Sequence, residues 1–224
     1  MKKLIIFDCD GVLVDSEIIA NRIESEMLTS YGYPISIEDS IKRFTGMSTK
    51  SVHKIIFEES AITLPSTFSD LVNEALINAF KKELKPLMLP VLSSDLLKNT
   101  DICVASSSPK KRVLMSLHVT GQNRFFKEKC VLTSEQVKNG KPAPDLFLFA
   151  AQQMGYNHRD CLVIEDSVAG ISAARSANMT VIGFLGGSHT RFDWYKENIK
   201  NQDVPMAQDS LELGPMISAF IEEL

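Results

Sequence analysis

Hydrophobic positions along the chain form two kinds of pattern. Five short runs are continuous rather than alternating and rich in branched residues, and they occupy residues 3–7, 102–105, 129–132, 162–164 and 180–184. Parallel strands that are covered on both faces have this character. Between the last four runs, apolar residues recur with a helical period over residues 110–118, 145–154 and 169–177. The alternation of strand and helix predicts a doubly wound parallel α/β core with right-handed crossovers.

The segment between the first two runs is organised differently. It has no strand pattern, and its amphipathic stretches cover residues 17–31, 38–44, 49–60 and 68–84. We therefore predict a core formed by residues 1–15 and 86–224, with an all-helical cap inserted at residues 16–85. Pro86 and Pro90 bracket the return to the core and stiffen one hinge of a candidate lid.

Composition and charge narrow the class of partner. The chain has 224 residues, of which 44% are hydrophobic and 23% charged, and this composition is that of an ordinary globular protein. A formal net charge of -4 provides no basic field for nucleic acid, so a small metabolite is the expected ligand. No apolar run is long enough to span a membrane, and aspartates interrupt the first one, unlike a secretory signal. We expect a cytoplasmic monomer, with a homodimer as the alternative.

The four cysteines change this picture little. They lie within or beside apolar runs, without the close Cys/His spacing of a zinc site or a dense disulfide pattern. We expect them to be small buried hydrophobic residues.

Polar residues follow the predicted strands at the edge where open α/β sheets bind their ligands, the carboxyl ends of the strands. They are Asp8 and Asp10 after the first run, Ser106 after the second, Lys141 in the loop after the third, and Glu165 and Asp166 after the fourth. Two aspartates, a hydroxyl, a lysine and an acidic pair therefore meet in one region.

This set of side chains indicates a metal site. Clustered carboxylates repel one another, and burying them without compensation is costly, so the cluster implies a hard divalent cation with oxygen ligands. Mg²⁺ fits best, because no histidine triad or thiolate converges here for zinc or iron. The candidate ligands are Asp8, Asp166, Glu165 and the backbone carbonyl of Asp10.

A cation beside an aspartate, with one lysine and one hydroxyl, is a receptor for a phosphoryl group. Lys141 and the metal neutralise its oxygens, and Ser106 donates a hydrogen bond to another. Asp8 then becomes a nucleophile that can form an aspartyl-phosphate. Gly11 lets the chain turn so that Asp10 can protonate the leaving alcohol and later deprotonate the attacking water.

Four motifs carry a family resemblance. The stretches DCDGVLVDSE (8–17), Ser106, Lys141-Pro142 and VIEDSVAG (163–170) resemble the motifs of the haloacid dehalogenase-like superfamily. The branch they resemble is that of phosphoglycolate phosphatase and β-phosphoglucomutase, which carries a helical cap after the first motif. The resemblance implies a Rossmann-like core, Mg²⁺ dependence and phosphoryl transfer through Asp8.

The resemblance also implies further contacts and a substrate class. It places the cap turn with Arg43, Gly46 and Met47 over the substrate, and we add Ser107 as a substrate contact. The stretch GFLGGSH (183–189) is similar to members that act on sugar phosphates and sugar-acid phosphates such as 6-phosphogluconate. We therefore expect a small phosphorylated metabolite as the substrate.

Several positions have a structural alternative. Ser107 or Ser108 is expected to cap the helix that starts near Lys110. Glu165 either accepts hydrogen bonds from the next helix N-terminus or serves the metal, directly or through water. The cations of residues 110–112 form a solvated face, or one of them reaches a substrate anion. His189 is expected in a loop near the mouth of the site and not as a ligand.

Three reactions compete at this point. Dehalogenase members lack an aspartate corresponding to Asp10, which disfavours carbon–halogen chemistry. The mutase typically has a histidine after the first motif, where residues 16–20 read SEIIA, so hydrolysis is favoured over mutase activity. An aspartyl-phosphate switch module is the alternative of another class, but a switch needs neither Asp10 nor a helical insertion.

Overall fold

A computed structural model describes residues 2–44 and 49–222, with only the backbone for Thr49 and Lys50. The chain divides into two compact units. The first comprises Met1–Asp15 and Lys85–Leu224, and the second comprises Ser16–Leu84.

The first unit contains a parallel sheet of six strands in the order β3-β2-β1-β4-β5-β6. The strands are β1 Leu4–Phe7, β2 Asp101–Ser106, β3 Val131–Thr133, β4 Cys161–Glu165, β5 Thr180–Phe184 and β6 Met206–Ala207. All residues of β1 and β4 are buried, as expected for central strands covered on both faces. The predicted doubly wound α/β fold is confirmed.

The strand order reverses at the centre of the sheet. From β1 the chain proceeds outward to β2 and β3, and then returns to β4 on the other side of β1. Phe7 pairs with Val104 of β2 and Ile164 of β4, so the carboxyl ends of these three strands lie side by side. A crevice outside such a switch point is the usual ligand site of open α/β sheets.

The first unit also contains helices. They are α5 Leu89–Leu92, α6 Lys110–Val119, α7 Asp145–Met154, α8 Val168–Ser176, α9 Asp193–Lys200 and α10 Ser210–Glu222. The helical patterns predicted for α6, α7 and α8 are confirmed. The predicted third strand is wrong at residues 129 and 130, because Glu128–Cys130 forms a 3-10 turn with its charged residues exposed. Strand β6 has only two residues, too few to produce a hydrophobic pattern in the sequence.

The second unit consists of helices in its described residues. They are α1 Glu17–Ser30, α2 Ile37–Phe44, α3 Thr49–Ser60 and α4 Phe68–Glu83, and each matches a predicted amphipathic stretch. The apolar faces of these helices share one core cluster with two residues of the connecting segments, Tyr33 and Leu64; its helical members are Leu28, Phe44, Val52, Ile56 and Phe68. Across both units, none of the described helices combines the length and apolar character needed to cross a membrane.

Candidate active site

Asp8 lies at the switch point of the sheet. It follows β1 directly, and its backbone N–H donates to the carbonyl of Ile164 at 3.0 Å, which holds it against β4. The residue is buried, with 6% of its surface exposed. A carboxylate is therefore fixed at the central crevice by the sheet itself.

Lys141 reaches this carboxylate from the loop after β3. Its Nζ donates to Oδ1 of Asp8 at 2.5 Å, to Oε1 of Glu165 at 2.7 Å and to the carbonyl of Ala105 at 3.0 Å. These contacts use the three donors of an ammonium, so the side chain is fixed in orientation. Burial opposes the charge, but Asp8 and Glu165 outweigh it and raise the pKa of Lys141. The lysine is a cation at neutral pH.

Glu165 acts within the protein as an acceptor. Its Oε1 accepts from Lys141, and its Oε2 accepts from the backbone N–H of Ser167 at 2.8 Å and from its hydroxyl at 2.9 Å. Gly170 of α8 makes room for this carboxyl, since a Cβ there would lie 1.8 Å from its Cδ. With both oxygens engaged, the geometry favours the acceptor role over direct metal ligation.

Asp166 is buried beside Gly11 and His189. Its Oδ2 lies 2.9 Å from Nε2 of His189. A Cβ on Gly11 would come within 1.9 Å of the same oxygen, and Gly11 also has a φ of +79°, so this turn requires glycine on two grounds. His189 is fully buried and packs edge-on against Tyr195. The expectation of a residue at the mouth is corrected: His189 lies in the 3-10 turn Ser188–Arg191, and its ring is buried against Asp166, in the space left by Gly11 and Gly187.

The buried carboxylates give the site an excess of negative charge. Burial is the largest cause that raises the pKa of Asp8, and Glu165, Asp166 and Asp10 add to it against the lowering effect of Lys141. Burial, then Glu165, likewise raises the pKa of Asp166. Such a cluster is poorly compensated by one ammonium, and a second cation would relieve it.

The donor set fits Mg²⁺ in its chemistry. Carboxylates of Asp8 and Asp166 and nearby backbone carbonyls are hard oxygen ligands of the kind that Mg²⁺ prefers. Among residues 2–44 and 49–222, however, no group of three or more His, Cys, Asp or Glu side chains is arranged to hold a metal. The side chains therefore supply the right atoms without forming a closed cage.

Asp10 is held by a different partner from Asp8. The hydroxyl of Ser108 donates to Oδ2 of Asp10 at 2.5 Å, and Nη2 of Arg112 donates to the same hydroxyl oxygen at 2.5 Å. The backbone N–H of Ser108 donates to Oγ of Ser106 at 3.0 Å. Ser106 ends β2 and is buried. The structure thus brings Asp8, Asp10, Ser106 and Lys141 into one region of the first unit.

The expected serine cap of α6 is wrong. Neither the side chain of Ser107 nor that of Ser108 accepts a hydrogen bond from a backbone N–H of the first turn of the helix. The backbone N–H of Lys110 donates instead to Oε2 of Glu135 at 2.8 Å, and the Ser108 hydroxyl donates to Asp10. Ser107 is exposed, and its carbonyl accepts from the hydroxyl of Ser134 at 2.8 Å.

The predicted cap contacts belong to the second unit. Arg43 is exposed, and its guanidinium donates to Glu59 at 2.6 Å and to the hydroxyl of Tyr33 at 2.9 Å. Gly46 and Met47 lie outside the described residues.

All four cysteines are buried free thiols, as predicted. Cys9 stands between the two aspartates, and burial, then Asp10 and Asp8, raise the pKa of its thiol well above the ordinary value. It stays protonated and is no nucleophile.

Three residues of this region escaped assignment from sequence. The sequence predicts only a capping role for Ser108, a solvated face or a substrate contact for the cations of residues 110–112, and a place near the mouth for His189. A usable signal existed for one pair: Ser108 and Arg112 are four residues apart at a helix start, a spacing that puts side chains in contact. Nothing local indicates that Asp166 and His189 meet.

Comparisons with known proteins identify a family that the chain resembles in sequence. A family model described as haloacid dehalogenase-like hydrolase matches residues 5–184. The 6-phosphogluconate phosphatase of Escherichia coli (strain K12) is 29% identical over 193 residues, covering 84% of each chain. Fructose-1-phosphate phosphatase YqaB of the same organism is 30% identical over 179 residues, covering 80% of this chain and 94% of that one.

A solved structure is also similar to this chain in fold and sequence. The crystal structure of a conserved haloacid dehalogenase-like protein of unknown function from Agrobacterium tumefaciens str. C58 superposes with a TM-score of 0.85 at 35% identity. It covers 99% of this chain and 100% of that chain.

Proposed function

Because this chain belongs to the haloacid dehalogenase-like hydrolase family, we propose that it is a Mg²⁺-dependent phosphatase that hydrolyses a small phosphorylated carbohydrate through an aspartyl-phosphate on Asp8. The family match confirms the resemblance carried by the four motifs. The observation that carries the proposal is the separate support of two carboxylates: Lys141 holds Asp8, and Ser108 holds Asp10. Two carboxylates with different surroundings can take two different roles.

In the first step, Asp8 attacks phosphorus. Lys141 binds Oδ1, so Oδ2 is the oxygen that forms the new bond to phosphorus. Ser106 assists, because its oxygen already accepts the Ser108 N–H and its own proton can be donated to a phosphoryl oxygen. The bond from phosphorus to the sugar oxygen breaks, and Asp10 delivers its proton to that oxygen.

In the second step, water hydrolyses the aspartyl-phosphate. Asp10, now a carboxylate, removes a proton from the water as the water oxygen attacks phosphorus. The bond between phosphorus and Asp8 breaks, inorganic phosphate leaves, and both aspartates return to their initial states. Lys141 stabilises Asp8 as it is released.

Asp8, Asp166 and the backbone carbonyl of Asp10 would hold Mg²⁺. When bound, the metal neutralises phosphoryl oxygens and screens the mutual repulsion of the carboxylates. Glu165 serves this set through Lys141 and Ser167, as their common acceptor.

The names of the relatives support a sugar-phosphate substrate. One acts on 6-phosphogluconate and another on fructose 1-phosphate, and both are carbohydrates with a single phosphate. Contacts of Arg43, Gly46, Met47 and Ser107 with the sugar remain part of this proposal. Alanine at Arg43 is expected to raise KM for the sugar phosphate more than it lowers kcat.

A phosphate-release screen tests the proposal. Purified protein is assayed on 6-phosphogluconate, fructose 1-phosphate, phosphoglycolate and nucleotides, with Mg²⁺ or with EDTA. We expect release from a sugar phosphate only with Mg²⁺. Asp8→Asn abolishes it, whereas the same change at exposed Asp193 has no effect.

Other outcomes identify the competing functions. Interconversion of hexose phosphates with little release of phosphate indicates a mutase. A phosphorylated Asp8 that persists after acid quench and is detected by mass spectrometry, without turnover, indicates a switch module. Turnover that survives Asp8→Asn refutes the aspartyl-phosphate mechanism.

A further inference from the structure

A hydrogen-bonded chain leads from α6 into the site, and no part of the mechanism above uses its first member. Nη2 of Arg112 donates to Oγ of Ser108, and Oγ of Ser108 donates to Oδ2 of Asp10. We propose that Arg112 is a positioning residue that acts through Ser108 to hold Asp10 in its proton-transferring orientation. This inference rests on the proposed phosphatase function and adds a determinant of its acid–base step.

The direction of the chain follows from donor chemistry. A guanidinium only donates hydrogen bonds, so Ser108 must accept from Arg112. A serine hydroxyl has one proton, and the acceptor within reach for it is the carboxyl of Asp10. Arg112 therefore orients the lone pairs of Ser108 toward the helix and the Ser108 proton toward Asp10.

Ser108 also joins the two catalytic groups of this side of the site. Its hydroxyl binds Asp10, and its backbone N–H binds Oγ of Ser106. Ser108 is buried, with 5% of its surface exposed, so these hydrogen bonds face little competition from water. A shift of Ser108 would move the acid–base group and the phosphoryl donor together.

The position of Arg112 is unfavourable for stability alone. It is the third residue of α6, where a cation opposes the helix dipole. Its Nε is buried and has no hydrogen-bond partner among the described residues. A buried donor without an acceptor destabilises a fold. Its neighbour Lys111 is exposed and carries the same charge into solvent, so Lys111 is a matched control.

If Arg112 positions Asp10, the loss of kcat/KM in the variants should depend on how much the leaving group needs a proton. Asp10 protonates the departing oxygen, which a sugar alkoxide requires and a nitrophenolate hardly needs. A variant that misplaces Asp10 should therefore lose kcat/KM for a sugar phosphate and keep most of it for p-nitrophenyl phosphate. A variant that is merely less well folded loses both alike.

The experiment compares Arg112→Met, Ser108→Ala and the double variant with Lys111→Met. Both single variants should lower kcat/KM on the sugar phosphate hydrolysed fastest in the release screen by about tenfold to hundredfold, a part of the usual contribution of acid–base catalysis. The loss on p-nitrophenyl phosphate should be several-fold smaller. The double variant should match Ser108→Ala, because both changes break one chain. Lys111→Met should resemble wild type.

Three results would overturn the inference while leaving the phosphatase proposal intact. These are equal losses on both substrates, losses that multiply in the double variant, and an unchanged kcat/KM in Arg112→Met. If circular dichroism shows that Arg112→Met does not fold, the same comparison of the sugar phosphate with p-nitrophenyl phosphate is made with Ser108→Ala. A wild-type protein that hydrolyses no phosphomonoester contradicts the proposed function itself.

Discussion

Replacing Lys141 by methionine removes the ammonium that separates two buried carboxylates. The side chain of Lys141 is 5% exposed, and those of Asp8 and Glu165 are 9% and 1% exposed. Methionine fills a similar volume without charge. The variant therefore tests how strongly the carboxylates of the site depend on this cation for the stability of the metal-free fold.

The magnitude follows from the geometry. Oδ1 of Asp8 and Oε1 of Glu165 lie 2.5 Å and 2.7 Å from the same nitrogen. They are therefore no more than about 5 Å apart, a separation at which two charges repel by about 3 kcal/mol at an effective dielectric constant of about 20. Removal of one partner of a buried ion pair costs about 3–5 kcal/mol in general. We expect Lys141→Met to lower the free energy of unfolding by about this amount.

The assay is urea unfolding in EDTA, followed by circular dichroism, with exposed Lys138→Met of the same loop as control. The loss of unfolding free energy in Lys141→Met should increase as the pH rises. The pKa of Asp8 is raised in the fold, and the variant loses the lowering effect of Lys141. Folded Asp8 then holds a proton at pH values where the unfolded chain does not, so the variant loses stability as pH rises. The deficit should be larger at pH 8 than at pH 5.5.

A loss no greater than that of Lys138→Met would refute this reasoning. So would a deficit that is constant from pH 5.5 to pH 8, because the carboxylates would then not be the source of the instability.

Three further predictions concern the surroundings of the site. Gly170→Ala should destabilise the fold by about 1–3 kcal/mol through overpacking against Glu165, whereas Gly140→Ala, where the nearest atom to a new Cβ lies at 3.8 Å, should change the stability by less than about 0.5 kcal/mol in thermal unfolding. Glu135→Ala should cost about 1 kcal/mol in urea, as loss of a helix cap does, and Ser107→Ala almost nothing; equal effects would contradict the assignment of the cap. Phosphate release should vanish in EDTA and return with Mg²⁺ more fully than with Ca²⁺, which prefers a larger set of ligands; activity retained in EDTA would count against the metal.

The fold was predictable because its signals are local. Each strand that carries the site is a continuous apolar run, and the rule that ligands bind at the carboxyl ends of parallel strands places Asp8, Ser106 and Asp166 at one edge. Lys141 lies on a loop, and alone it would be read as a surface lysine; it was assigned because the other strand ends supply groups that complement a cation. The two-residue strand β6 gave no such signal, since its pairing with β5 depends on the rest of the sheet.

The partners of the site were less predictable because they depend on side-chain direction. Glu135 caps α6 from a 3-10 turn 25 residues away, while the hydroxyl of Ser108 is turned toward Asp10. His189 meets Asp166 because two glycines, Gly11 and Gly187, leave room for its ring. Sequence spacing carries no information about either event.

The two aspartates to which we propose catalytic roles are supported by cations in different ways. Lys141 contacts Asp8 directly, whereas Arg112 reaches Asp10 only through the hydroxyl of Ser108. A direct ammonium contact suits a nucleophile, because it fixes one oxygen and stabilises the carboxylate that is released at the end of the cycle. A hydroxyl between guanidinium and carboxyl suits an acid–base group, because it orients the carboxyl without pairing it tightly to a fixed charge. The proposed division of roles between Asp8 and Asp10 is thus supported by their partners as well as by their positions.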